Sequence, residues 1–178
     1  AGAAGALSSA QIAALSTTQV ATLSTTAITG LDAAQVAALA TTQVAALTAT
    51  QVAFLSATTV SALAQSDIDR LTSTQFAALA YGAIGAFTGT QLAALTTTRL
   101  GQIPAAAMIG LKSTQVAQLA ATQIAALTTS QIAGMSVAGF GGFTATGVAA
   151  LTQTQVSALS STTALSSRRA SSRPRWPG

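Results

Sequence analysis

The sequence predicts an all-α chain, a solenoid or superhelix of very short helices with one helix per eight-residue repeat. Three observations predict it. The octad recurs without slippage, each octad carries the grammar of a helix start, and neither a continuous helix nor a regular strand accounts for its two large apolar residues. A β-solenoid is the alternative.

The apolar slots come first. From Leu7 to Leu159 every eighth residue is large and apolar, 16 of 20 being Leu and the rest Phe87, Ile103, Met135 and Phe143. From Ile12 to Val156 all 19 residues at the same spacing are also large and apolar, mostly Val or Ile. Internal repetition of this kind marks a stacked-repeat architecture. An uninterrupted helix would rotate the apolar stripe by about 80° per octad and leave no face to bury. In a strand the two large residues, three and five apart, would point to opposite faces.

The polar slots supply the alternative. With Thr48 as N-cap, Gln51 stands at the capping-box spacing, and Leu47 and Val52 stand where a hydrophobic staple requires them. Good helix formers follow before the next Leu. The same grammar holds at Ser16 with Gln19, Asp32 with Gln35, Thr72 with Gln75, Thr88 with Gln91, Thr128 with Gln131 and Thr152 with Gln155. The cap slot is Ser, Thr or Asp in 14 of 20 octads, and the slot before Val is Gln in 11 of 19. A helix of one to two turns is unstable alone, so each octad must bury its Val and Leu against neighbours. How many octads make one coil is open at this level.

Three octads depart from the consensus. Residues 80–87, 104–111 and 136–143 lose Gln and gain Gly while keeping both apolar slots. Local bends or contacts too tight for a side chain account for this, with a docking site as the sharper alternative. Residues 1–159 thus form the repeat domain. The Ser-, Arg- and Pro-rich residues 160–178 read as a disordered tail.

Composition narrows function. Charged residues are 6% of the chain, against about 25% in ordinary domains. Within the array Arg70, Arg99 and Lys112 offset Asp32, Asp67 and Asp69, so the net charge of +4 resides in Arg168, Arg169, Arg173 and Arg175. A nucleic-acid partner is therefore expected at most through the tail. No run of 18 apolar residues indicates a membrane span. The chain begins at Ala1 without a charged, apolar leader, which suggests a processed protein or an excised fragment.

Catalysis needs converging titratable groups. The chain has no His and no Cys. Asp67 and Asp69 lie two apart on one octad and do not converge; with Arg70 they read as a solvated polar patch. The glycines at 139, 141 and 142 lack the Lys-Ser/Thr partner of a phosphate loop. No catalytic, cofactor or metal residue is assigned, and the expectation is a non-enzymatic protein.

Thr-x-Thr recurs at 48–50, 72–74, 88–90, 96–98, 144–146 and 152–154. A cap followed by a first-turn residue explains both threonines. In this recurrence, in its Ala/Thr richness and in its low charge the chain also resembles ice-binding proteins, whose Thr-x-Thr faces lie on strands.

The units LTATQVAFL, LTTSQIAGM and LATTQVAAL resemble octad tracts of long secreted adhesin-like and surface-associated proteins of Gram-negative bacteria. The resemblance covers residues 7–159 and defines no functional residue. It implies an extended, extracellular role. The leading expectation is a structural protein that self-associates as a filament or matrix subunit, its partners copies of itself. An adhesin stalk showing a Thr/Gln face to a glycan or surface is the second, and ice binding the third.

Overall fold

The computed structural model describes residues 7–79 and 81–159, with the side chains of 81 and 82 left aside. The expected disordered tail, with its four arginines, lies outside the described residues, as do residues 1–6.

Among the described residues the chain is all helical, with no strand. This excludes the β-solenoid alternative for that span. Each octad makes one short helix: α1 Ser9–Ala13, α2 Thr17–Thr22, α3 Thr25–Thr29, α4 Ala33–Ala37, α5 Thr41–Ala45, α6 Ala49–Ala53, α7 Ala57–Ala62, α8 Gln65–Arg70 and α9 Ser73–Ala77. There follow α10 Tyr81–Ile84, α11 Gly89–Ala94, α12 Thr97–Gly101, a 3-10 helix Ala105–Gly110, α13 Ser113–Val116, α14 Ala121–Ala125, α15 Thr129–Gly134, α16 Val137–Phe140 and α17 Ala145–Ala149. A last helical segment occupies 153–159.

The caps are where the residue types require them. Ser16 holds an extended backbone and accepts from the Gln19 N–H at 3.1 Å, while Gln19 Oε1 accepts from the Ser16 N–H at 2.8 Å. Thr48 with Gln51 and Thr128 with Gln131 repeat the reciprocal pair. Where Ala or Lys replaces the hydroxyl, Gln alone completes the start: the Ala40 N–H donates to Gln43 Oε1 at 2.6 Å and the Lys112 N–H to Gln115 Oε1 at 2.8 Å. The octad at 104–111 has neither device. Its N-cap is Pro104, with no side-chain bond, and the segment tightens to a 3-10 helix.

The two large slots form one core. Val20, Val44, Val52, Val60 and Phe76 are fully buried, and Leu31 to Leu127 of the other slot are buried with them. The helices do not pack mainly on their chain neighbours. The closest pairs are three octads, or 24 residues, apart: α1 with α4, α4 with α7, α2 with α5, α3 with α6, α13 with α16 and α14 with α17. The octads therefore fall into three rows. The first runs through α1, α4, α7, α10, the 3-10 helix and α15. The second runs through α2, α5, α8, α11, α13 and α16, and the third through α3, α6, α9, α12, α14 and α17.

The glycine-bearing octads fit this register. A Cβ on Gly85 would overlap the carbonyl oxygen of Gly110, and one on Gly142 would overlap that of Ser113. Their backbones meet directly across the row, which is the tight-contact reading of the sequence.

Candidate functional site

The most specific polar constellation among the described residues is built by the Gln that fills the slot before Val in 11 of 19 octads. This residue sits third in its helix and is buried at nine positions: 35, 43, 51, 75, 91, 115, 123, 131 and 155. Oε1 serves the N-terminus of its own helix. Nε2 reaches the C-terminal carbonyls of another helix, 28 to 31 residues earlier.

Gln51 Nε2 donates to the carbonyls of Val20 at 2.9 Å and Leu23 at 2.8 Å. Gln43 Nε2 does the same to Ala13 at 3.1 Å and Leu15 at 2.6 Å, and Gln123 to Leu92 at 3.1 Å and Leu95 at 2.7 Å. Gln75 donates to the carbonyls of Ala45 and Leu47. The carbonyls of Ala13, Leu15, Leu23, Ala45, Leu47 and Leu95 are groups that a short helix leaves unpaired at its end, while those of Val20 and Leu92 also accept from the N–H groups of Leu23 and Leu95. One carboxamide thus satisfies orphan groups of two helices, an N–H in its own and carbonyls in an earlier one.

Exceptions in the Gln slot sharpen the point. Arg99 keeps the donor function, reaching the carbonyls of Asp69, at 2.5 Å, and Leu71, while its guanidinium lies 5.3 Å from the centre of the Phe76 ring. Thr59 folds back onto the Ser56 carbonyl at 2.8 Å. Asp67 occupies the slot with a side chain that has no proton to give when ionised.

The expected solvated patch of Asp67, Asp69 and Arg70 is therefore corrected. Asp67 is 6% exposed, because the third helical position faces inward, while Asp69 and Arg70 are exposed and Asp69 accepts from Gln65 Nε2 at 2.9 Å. The two carboxylates face different surroundings and do not form a paired acid and base.

At the two ends of the described stack the same slots look different. Gln11 and Gln19 are exposed, and their Nε2 groups have no partner among the described residues. Val148 and Val156 are 54% and 43% exposed, where their interior equivalents are fully buried. Leu7, Leu15, Leu151 and Leu159 are half-buried against the core.

The threonines are on the outside. Thr48, Thr50, Thr72, Thr74, Thr96 and Thr98 are all exposed. Of the six Thr-x-Thr units, those at 48, 72, 96 and 144 fall in the third row, the one at 88 in the second and the one at 152 in the first. Among the described residues no helix is long and apolar enough to cross a membrane, and no group of three His, Cys, Asp or Glu stands together. No family model, curated protein or solved structure matches the chain.

Sequence reasoning found the Gln slot but assigned it only the capping box. The signal for its second role was present. The capping box accepts Glu as readily as Gln, yet the slot holds 11 Gln and the chain holds no Glu. Only the amide can donate to a carbonyl as well.

Proposed function

We propose that this chain is a non-enzymatic structural repeat protein, an α-solenoid with three octads per coil, that associates with copies of itself in an extracellular or cell-surface setting. One observation carries the reading. The groups that join octads distant in sequence are an apolar pair, which packs along the row, and a Gln amide, which reaches carbonyls 28 to 31 residues earlier at the end of a helix in a neighbouring row, and neither identifies which octad lies opposite. A coil from a second copy satisfies them as well as a coil of the same chain.

Low charge supports this, since little repulsion opposes close approach of two copies. The free amides of Gln11 and Gln19 and the uncovered Val148 and Val156 are the groups that a further coil would engage. Contact of this head-to-tail type does not close on itself and so extends. Among the described residues the octads at 8–23 and 144–159 carry no charged side chain, and a polar outer face is what keeps the end of a repeat stack from growing. The secreted setting rests on the resemblance to octad tracts of adhesin-like proteins and on the absence of Cys, which leaves no thiol to oxidise. The non-enzymatic reading rests on the lack of His and Cys and on the separation of Asp67 from Asp69.

Size-exclusion chromatography with light scattering over a hundredfold concentration range, followed by negative-stain electron microscopy, tests the proposal. Mass should grow with concentration, and fibres or end-to-end oligomers should be visible. A monomer at every concentration, with elongated single particles, would favour the adhesin-stalk reading instead.

A further inference from the structure

The 24-residue register does something to the threonines that their spacing in sequence does not announce. In the third row the second helical residue of each octad is Thr26, Thr50, Thr74, Thr98, Thr122 or Thr146, without exception, and all six are exposed. The cap residues beside them form a parallel column, Ser24, Thr48, Thr72, Thr96, Ala120 and Thr144, also exposed.

We propose that this row is a binding face for ice. Three properties of the face point to a crystalline water surface as its occupant. The first is preorganisation. The cap hydroxyls accept from the third N–H of their helices, Thr48 from Gln51, Thr72 from Gln75 and Thr96 from Arg99, each at 3.2 Å, and Thr144 from Gly147 at 3.1 Å. That bond fixes the side chain and leaves the hydroxyl proton facing outward. Rigid groups lose little entropy on docking. The second property is free valence: the side-chain hydroxyls of the six threonines in the neighbouring column make no hydrogen bond among the described residues, their backbone carbonyls alone being engaged, as at Thr26, Thr74, Thr122 and Thr146. Each offers water one donor and two acceptor sites, with a methyl group beside them.

The third property is what the row leaves out. Asp32, Asp67, Asp69, Arg70 and Lys112 all lie in the other two rows. Arg99 belongs to the third but turns inward to the carbonyls of Asp69 and Leu71. A charged side chain would hold its own hydration shell against the lattice. Aromatic platforms, on which sugar rings stack, are also missing except for Phe54, 51% exposed. A regular, uncharged, rigid array of hydroxyls and methyls suits a surface that is itself periodic. Many weak contacts on one rigid body then add.

The test is thermal hysteresis together with partition into a slowly growing ice hemisphere, using the full chain. The unmodified protein should show a freezing gap and enter the ice. Thr74→Lys with Thr98→Lys should bring both readings to the level of an unrelated globular protein. Thr42→Lys with Thr90→Lys, at the same helical position in the second row, should leave them unchanged. Ala120→Thr, which completes the cap column, should widen the gap. Exclusion of the unmodified chain from ice, or equal loss in the second-row variant, overturns the proposal. Light scattering on the same variants keeps this result separate from self-association, since the third-row lysines do not touch the stacking groups.

Discussion

At the residue scale the fold depends on a choice between two side chains that differ by one group. Gln and Glu both complete a capping box, but only the carboxamide carries a donor for carbonyls 28 to 31 residues earlier in the chain. Gln51→Glu would place a carboxylate against the carbonyl oxygens of Val20, Ala21 and Leu23. A buried acceptor facing acceptors costs roughly 2–4 kcal/mol. The sign of the pH dependence follows. The folded state raises the new carboxyl's pKa above its unfolded value of about 4.3. The deficit is therefore absent below that value, where the protonated acid donates as the amide did, and grows as pH rises through the folded pKa. Thermal unfolding of the variant should match the parent near pH 3.5 and fall well below it at pH 7. Gln51→Leu should lose stability by a similar amount at both. A variant insensitive to pH would mean that the amide donor is not what joins the coils. The capping half of this slot's role was legible from its place in the octad, but its burial was not, and the charge of Asp67 beside Asp69 and Arg70 suggested a solvated patch where the structure buries Asp67.

At the element scale each helix is too short to persist alone, so small changes at its ends should be measurable. Ala120→Thr adds a cap hydroxyl to α14, which has no side-chain cap bond, and should raise stability by about 0.5–1 kcal/mol. Glycines separate into two kinds. A Cβ on Gly134 would overlap the Ala105 carbonyl, whereas one on Gly101, at the end of α12, meets nothing within 4 Å. Gly134→Ala should lose roughly 1–3 kcal/mol, and Gly101→Ala should gain about 0.5–1 kcal/mol. Denaturant midpoints of the two variants should therefore move in opposite directions, and a shared direction would remove the close backbone approach from the account. Helix starts at the Ser, Thr and Asp caps were readable because capping is local chemistry. The 3-10 geometry at Ala105–Gly110 was not, because the octad keeps both apolar slots and loses only its capping devices. Which octad packs on which was also hidden: with nearly the same Leu, Val and Gln in every unit, periods of 8, 16 and 24 residues give the same core pattern. The pairings of Gly85 with Gly110 and of Gly142 with Ser113 carry 24-residue information, but only coordinates reveal that these residues meet.

At the scale of the whole molecule, two periods are superimposed on one chain. The core and the Gln ties obey a period of eight, because the Leu, Val and Gln slots recur in nearly the same form from octad to octad. The surface obeys a period of 24, because only every third octad returns to the same row. Deletions separate the two. Removing residues 40–47 takes out one whole octad and joins Leu39 to the cap Thr48. The stack should refold with one unit fewer and a modest loss in midpoint. The octads after the cut shift by one row, so Thr26 no longer stands in line with Thr50 and the threonine column shortens. Removing residues 32–55 takes out three octads, one from each row, and the columns on either side should rejoin in phase. Removing only 40–43 leaves a half-octad without a cap or a Gln, and should lower the midpoint more than the deletion twice its size. Circular dichroism and denaturant titration of the three variants measure the core period. Ice partition measures the surface period, with residues 40–47 expected to matter more than residues 32–55. If the four-residue deletion proved the mildest, the octad would not be the unit of stacking, and both the coil assignment and the surface built on it would fall together.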